Sequence, residues 1–414
     1  MRVLYVVDGR SPIALNWMRY FCEGEHGVHE VHLVSTYPCE PELRPALKPG
    51  LKPASMLASF NVIPAAFGDV GGRRTGDKGA GVRGFVRGVI PVGIRTGVRQ
   101  WLGPLTLPRA ASALRALIAQ IQPDLVHAMR IPYEGMLAAL AMGGDGEGGH
   151  TGPPLLLSVW GNDFTLHAPA TPMMTRLTRL ALRRADALHT DCQRDLNLAY
   201  HWGYPEGRPA VVLPGGGGVQ LDIFYPPDSL AKVPEPIVIN PRGFRAYVCN
   251  EAFFKAVPLV LKEVPTARFI CPAMAGEAQA QRWVEALGVG EAVDLLPQQT
   301  RLQMAELFRR SQVAVSPSTH DGTPNTLLEA MACGCTPVAG DIESLREWIN
   351  PGENGLLVDP RNPVALADAI LRVLKDAELR QRARESNTRL VAERAEYGRV
   401  MGEAENFYLR LLDK

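Results

Sequence analysis

VAVSPSTHDGTPNTLLEAMACGCTPVAG, residues 313–340, carries two periodicities in one run. Val313 to Ser316 is a short β-branched segment, and Thr336 to Gly340 is another; between them Leu327, Leu328, Met331 and Ala332 recur at helical spacing. Strand, helix and strand so closely joined read as one crossover of a parallel sheet. In the connection, Thr323 is placed to cap the helix and Pro324 to occupy its first turn, where a missing N–H costs nothing. The amides of Asn325, Thr326 and Leu327 then point outward with the positive end of the helix dipole, a place for an anion such as a diphosphate. Asp321 lies just before the helix and Glu329 inside it. A carboxylate accepts hydrogen bonds in pairs, so each acid suits vicinal hydroxyls. Acid, helix start and acid together describe an elongated ligand with hydroxyls at both ends and a diphosphate between, the form of a nucleotide sugar. The plainer alternative is an amphipathic helix that needs no ligand, preceded by a solvated acid.

The same rhythm extends in both directions. RVLYVV, LNWMRYF and EVHLVS read as strand, helix and strand, and the alternation resumes with RAASALRALIAQI, DLVHA, EGMLAALAM, LLLSVW, TRLTRLALRRA and ALHT. Gly and Pro interrupt it at VVLPGGGGVQLDIFYPPDSLAKVPEP, and a second alternation runs from IVINPR to GLLVD. At 414 residues the chain exceeds the usual reach of a single core. The expected architecture is α/β, two facing Rossmann-like doubly wound domains with a cleft between them, 1–220 and 221–394, with the helix 395–414 packing back on the first. By composition, Glu378 to Lys414 is helical throughout. GGGG at 215–218 lacks the Lys and Ser/Thr of a P-loop and reads as linker.

A formal net charge of +1 argues against a dedicated nucleic-acid binder. No apolar run is long enough to span a bilayer, and MRVLYVVDG is too short for a signal peptide, which leads to an expected cytoplasmic location. The seven cysteines are scattered without paired spacing and read as buried thiols; neither Asp-x-Asp nor His-Glu-x-x-His occurs, so no metal and no cofactor is expected.

The run SPSTHDGTPNTLLEAMACGCTPVAG, with ESLREWINPGENGLLVDPRNPVALADAI after it, resembles the nucleotide-sugar-binding half of family-four glycosyltransferases, retaining enzymes of GT-B architecture. Their Glu-x7-Glu signature reads Asp321-x7-Glu329 here. The resemblance implies that Asp321 and the turn Gly322, Thr323, Pro324 and Asn325 face the donor sugar, that Thr326 and Leu327 complete the donor site, and that Glu329 binds the ribose. It also implies a cationic pair against the diphosphate. Arg242 fits the first position; Tyr247 stands where the family has Lys, and Arg245 is the candidate for that role, an ion pair with a surface acid being its alternative. Removing such a charge stabiliser typically costs about two to three orders of magnitude in rate.

The N-terminal half resembles the family more loosely. Gly9 to Pro12, with Ser11, would approach the diphosphate, and PDLVHAMRIPYEG and LLLSVWGNDF resemble the strand ends that line the acceptor pocket. His127 and Asp163 are the polar residues there, a packed His and a turn-capping Asp being the alternatives; Trp160 replaces the family's usual His. The implied reaction is glycosyl transfer to a glycan or lipid-linked acceptor in cell-surface glycan synthesis. A catalytically silent nucleotide-sugar binder and a sugar-nucleotide epimerase are the rivals. Residues 42–105 hold ten Lys and Arg, among them Arg44, Arg73, Arg95 and Arg99, against three acids, interleaved with Leu51, Phe60, Phe85 and Trp101. This composition suits peripheral contact with an anionic membrane, with a solvated loop as the alternative.

Overall fold

The computed structural model describes residues 1–23, 29–39, 57–66, 92–143, 152–227 and 236–413. Two compact units divide the chain: residues 1–217 together with 401–414, and residues 218–400.

The first unit is built on a seven-stranded sheet of order β3-β2-β1-β4-β5-β6-β7, every pairing parallel. Its strands are β1 (Arg2–Val7), β2 (Glu30–Ser35), β3 (Ser59–Val62), β4 (Leu125–Met129), β5 (Leu155–Val159), β6 (Ala187–Thr190) and β7 (Ala210–Val212). β4, β5 and β6 are buried at every residue, because a parallel sheet is covered by helices on both faces. Those helices are α1 (Pro12–Glu23), α2 (Val92–Leu102), α3 (Leu107–Ile121), α4 (Met136–Met142), α5 (Pro172–Arg184) and α6 (Gln193–Trp202). β3 is an edge strand inside 42–105, a region whose sequence shows no strand alternation: SFNV is short and only half-buried, so packing places little demand on its residues. The basic residues expected at a membrane lie in 40–56 and 67–91, outside the described residues, apart from those on α2.

The second unit holds a six-stranded parallel sheet of order β10-β9-β8-β11-β12-β13. It comprises β8 (Ile237–Ile239), β9 (Arg268–Cys271), β10 (Val293–Leu295), β11 (Val313–Ser316), β12 (Thr336–Gly340) and β13 (Leu356–Val358). The covering helices are α7 (Asn250–Glu263), α8 (Ala278–Leu287), α9 (Arg301–Arg310), α10 (Asn325–Ala332), α11 (Glu343–Arg346), α12 (Pro363–Lys375) and α13 (Ala377–Ala395). The expectation of α/β sheets of Rossmann type is met in both units.

The C-terminal segment is not one helix. Glu396 adopts φ −63°, ψ 134° and separates α13 from α14 (Tyr397–Leu412). Its carboxylate then caps the new helix, accepting from the amides of Gly398 at 2.8 Å and Arg399 at 2.6 Å. The Tyr397–Gly398 pair beside the break is a weak helix-forming spot in a run otherwise rich in good formers, too slight a signal against the composition of the whole segment.

α14 supplies Tyr408 to the interior of the first unit, where a directed chain of hydrogen bonds passes through the sheet. His189 Nε2 donates to the Leu213 carbonyl at 2.9 Å, which leaves its Nδ1 to accept from Ser158 Oγ at 2.8 Å. Ser158 therefore accepts from His127 Nε2 at 2.7 Å, and His127 Nδ1 accepts from Tyr408 Oη at 2.6 Å. Tyr408 in turn accepts from Trp17 Nε1 at 2.9 Å and from Tyr5 Oη at 3.3 Å. Each ring nitrogen has one role, so both imidazoles are neutral and single tautomers. Burial holds the His127 and His189 pKa values below the ordinary one, His189 at about 4. Tyr408→Phe strands the His127 acceptor in a dry interior. It should lower unfolding free energy by about 1 to 3 kcal/mol, measured by urea denaturation.

Candidate functional site

The polar residues of the second unit gather where β8 and β11 end. β8 runs into Asn240, whose side chain is fully buried and accepts from the Arg242 amide at 3.2 Å while donating to Asn250 Oδ1 at 3.1 Å. Asn250 also donates to the Gly243 carbonyl at 3.0 Å, pinning a turn in which Gly243 adopts φ +63°, a conformation favouring glycine. The turn aims Arg242 across the end of the sheet. Its Nη2 meets Asp321 Oδ2 at 2.5 Å and its Nη1 donates to Thr326 Oγ1 at 3.0 Å, so the guanidinium joins both ends of the loop before α10. Arg242 is 5% exposed. The structure thus brings together three residues singled out from sequence, Arg242, Asp321 and Thr326.

The loop is held from behind by residues that sequence reasoning passed over. Ser344 Oγ donates to the Asp321 carbonyl at 2.7 Å, and Trp348 Nε1 donates to Thr323 Oγ1 at 3.0 Å. The second bond corrects the capping expectation: Thr323 faces the indole, and Pro324 itself is the N-cap, with φ −71° and ψ 120° and no side-chain cap. The Pro324 carbonyl accepts from the amides of Leu327 at 2.9 Å and Leu328 at 3.3 Å. Leu327 is therefore not a free donor, and the outward-pointing amides are those of Asn325 and Thr326. The signal for Trp348 was present in ESLREW, where an indole N–H in an apolar setting needs an acceptor.

One helical turn past Thr326, Glu329 lies near Arg301 at the start of α9, another residue the sequence did not single out. Desolvation pushes the Glu329 carboxyl up to about 7, and the Arg301 charge opposes the shift. Arg301 also donates to Gln220 Oε1 at 2.9 Å and lies over the Phe224 ring. Arg245 is exposed and donates to Tyr247 Oη at 3.0 Å, and its guanidinium feels the Asp321 charge. The Tyr247 carbonyl accepts from the Thr319 amide at 2.9 Å, so this tyrosine is part of the scaffold that positions the acidic loop.

In the first unit the expected residues serve the fold. His127 is fully buried with both ring nitrogens bonded, so it offers nothing to an acceptor; a fully covered parallel strand carried it inside. Asp163 is also buried. Its Oδ2 accepts from the amides of Ile131 at 3.0 Å and Trp160 at 3.1 Å, and Arg130 Nε lies 3.7 Å from Oδ1, so it fastens the loops after β4 and β5 to each other. Desolvation raises its pKa to about 7. The Gly9 amide donates to Ser35 Oγ at 3.1 Å, and a Cβ at Gly9 would come within 2.7 Å of Cys39 Sγ. Ser11 bonds into its own turn and the first turn of α1, accepting from Ala14 at 3.4 Å. Asp191, Cys192 and Asp195 are the one described cluster of metal-ligating types. There Arg194 supplies the countercharge, 2.6 Å from Asp195, that a cation would otherwise provide.

Two family models match the chain: a glycosyl transferase 4-like domain over residues 23–215 and glycosyl transferases group 1 over residues 226–390. Among curated proteins, a D-inositol 3-phosphate glycosyltransferase of Geodermatophilus obscurus is 31% identical over 199 residues, covering 44% of each chain. The protein of that name from Mycobacterium bovis is 30% identical over 219 residues, covering 50% of this chain and 45% of its own. The chain thus spans about half the length of the curated relatives it matches. Sucrose-phosphate synthase from Thermosynechococcus elongatus superposes with a TM-score of 0.72 at 18% identity, over 100% of this chain and 99% of that one. Anabaena HepE in complex with UDP-glucose gives 0.68 at 15% identity over 98% and 99%. These likenesses establish the GT-B α/β fold.

The raised Glu329 pKa has a defined sign. The native state keeps this proton up to about 7, whereas the unfolded chain releases it near 4.5, so Glu329 costs stability progressively as pH rises through that window. Glu329→Gln should therefore raise the melting temperature relative to the parent at pH 8 and leave it nearly unchanged at pH 4. A slope remains from Asp163. Identical differences at the two pH values would contradict the assignment.

Proposed function

The chain belongs to the group 1, family-four glycosyltransferases, and we propose that it moves a glycosyl group from a nucleoside diphosphate sugar to an acceptor hydroxyl with retention at the anomeric carbon. The observation that carries this reading is the Arg242 guanidinium, held between Asp321 and Thr326 at the start of α10. There it stands beside the outward amides of Asn325 and Thr326, a cation and a helix N-terminus converging where a diphosphate would lie. Asp321 and Glu329 flank that point along the chain and supply acceptors for sugar and ribose hydroxyls respectively. The inositol phosphate glycosyltransferases and the UDP-glucose complex among the relatives support a nucleotide donor of this class.

In the proposed reaction the bond from the anomeric carbon to the β-phosphate oxygen breaks, and the acceptor oxygen bonds to the same face of that carbon. The acceptor proton passes to the departing diphosphate, so no protein nucleophile takes part. Negative charge grows on the β-phosphate as the bond lengthens. Arg242, Arg245 and the two amides stabilise it in a site already organised before the ligand arrives. The acceptor is a glycan or lipid-linked hydroxyl.

Arg242 serves both fold and chemistry. Arg242→Ala leaves Asp321 without its countercharge, so loss of activity there would mix two effects. Arg242→Lys keeps the charge and gives up the forked contact with Asp321 and Thr326. It should stay folded by circular dichroism while kcat falls about tenfold to a hundredfold. Activity within twofold of the parent would remove Arg242 from the transition state.

The overall reaction is tested by incubating the protein with a panel of nucleoside diphosphate sugars and a polyol acceptor, scoring free nucleoside diphosphate and the recovered sugar. Release of diphosphate from one donor is expected. Donor recovered intact would identify a silent binder, and donor recovered as an epimer would identify a sugar-nucleotide epimerase; either result overturns the proposal.

A further inference from the structure

α2 and α5 meet at their ends: Thr171, the cap of α5, bonds the Gln100 carbonyl near the end of α2 at 3.5 Å. Around this junction the surface departs from that of an ordinary soluble domain. Val98, Trp101, Leu102, Leu105 and Met173 are 50%, 64%, 47%, 65% and 42% exposed. Val98, Trp101 and Leu102 follow one another at i, i+3 and i+4, one face of α2, and Leu105 continues from the turn after it. These are five of the eleven large apolar side chains exposed among the described residues. Scattered apolar exposure is normal, but so many side chains at one helix junction mark a contact surface.

The charge beside this patch has a single sign. Residues 92–123 contain no acid, nor does α5. Arg176, Arg179 and Arg183 recur at i, i+3 and i+7, so they share one face of α5. All three are exposed and line a shallow groove of about 540 Å³ with Pro172, Thr175 and Leu180. Among the described residues, none of the three forms an ion pair with a carboxylate. Arg109, at the start of α3, is exposed as well. By contrast Arg184, on the inner side of the helix, is buried against Asp186 at 2.8 Å. On α5 the outward cations are thus those with no carboxylate partner among the described residues.

Apolar side chains with an indole beside a row of guanidiniums form the pattern that inserts at the boundary between headgroups and acyl chains. Arg suits it further because its stem can lie along apolar surface while the charge stays among phosphates. We propose that the α2–α5 junction docks on an anionic lipid bilayer. Val98, Trp101, Leu102 and Leu105 enter the interface, and Arg176, Arg179 and Arg183 pair with lipid phosphates. A soluble acidic protein would satisfy the arginines but would need its own apolar patch; a bilayer offers both chemistries in the right order of depth. This docking is independent of the transfer chemistry, because none of these residues belongs to the donor site.

The test is flotation of the full chain with vesicles of phosphatidylcholine alone and of phosphatidylcholine with 30 mol% phosphatidylglycerol, at low and high salt. The parent should float with the anionic vesicles at low salt, weakly at high salt, and not with the neutral ones. Each arginine near the surface contributes about fivefold in partitioning, so Arg176→Glu with Arg179→Glu should reduce it at least about 25-fold. Trp101→Ser with Leu105→Ser should reduce binding at both salt concentrations, and the parent indole emission should shift to the blue on binding. These positions are exposed, so the variants should keep the parent melting temperature. No flotation of the parent at low salt, or equal flotation of parent and both double variants, would overturn the proposal. So would binding that persists in the variants but is abolished by a soluble polyanion, which would indicate a different cationic surface.

Discussion

The second unit turns on the contact between Arg242 and Asp321. Bringing a guanidinium and a carboxylate out of water is costly, and their attraction recovers that cost only when geometry is good and the remaining polar atoms are bonded. Here the second arm of the guanidinium reaches Thr326, the Asp321 carbonyl takes the Ser344 hydroxyl, and the Asn240–Asn250 pair fixes the turn that carries Arg242. The result is a charged centre that tolerates little movement. It is also incomplete in one respect: an arginine has five donors, and the diphosphate of a ligand would supply acceptors that a single aspartate cannot.

That arrangement recasts the shortened acid at position 321. Where the related signature has Glu, Asp321 is one methylene shorter, and in this structure its reach is spent on Arg242. A pair so close means that the acid orients the cation. Tyr247, which stands in place of a lysine, is likewise occupied: its carbonyl holds Thr319 and its hydroxyl accepts from Arg245. Both departures are thus built into one supporting network.

Much of this was legible in the sequence because a parallel sheet writes its strands as short buried runs separated by helical spacing. VAVSPS, DLVHA and LLLSVW could hardly be anything else. Reading failed where a side chain's partner lies far along the chain. Nothing near His127 reveals that Tyr408 will meet it, and a histidine at a strand end looks the same whether it faces solvent or a tyrosine. Thr323 before Pro324 has the form of a cap until Trp348 claims the hydroxyl. SFNV escaped notice because an edge strand needs only backbone partners. Asp321 was legible as an acid beside a helix start and Arg242 through the family resemblance, whereas their pairing, across 79 residues of chain, was not.

The first unit is made of both ends of the chain, with the second unit inserted between them. Synthesis from the ribosome therefore delivers the seven-stranded sheet long before the residues that complete its interior. Until α14 emerges, Trp17 and His127 must wait with unmet polar groups, and the cavity reserved for Tyr408 stays open to water. A chain lacking α14 keeps every strand of the seven-stranded sheet yet leaves the His127 acceptor unmet, so the sheet alone does not close the core of the first unit.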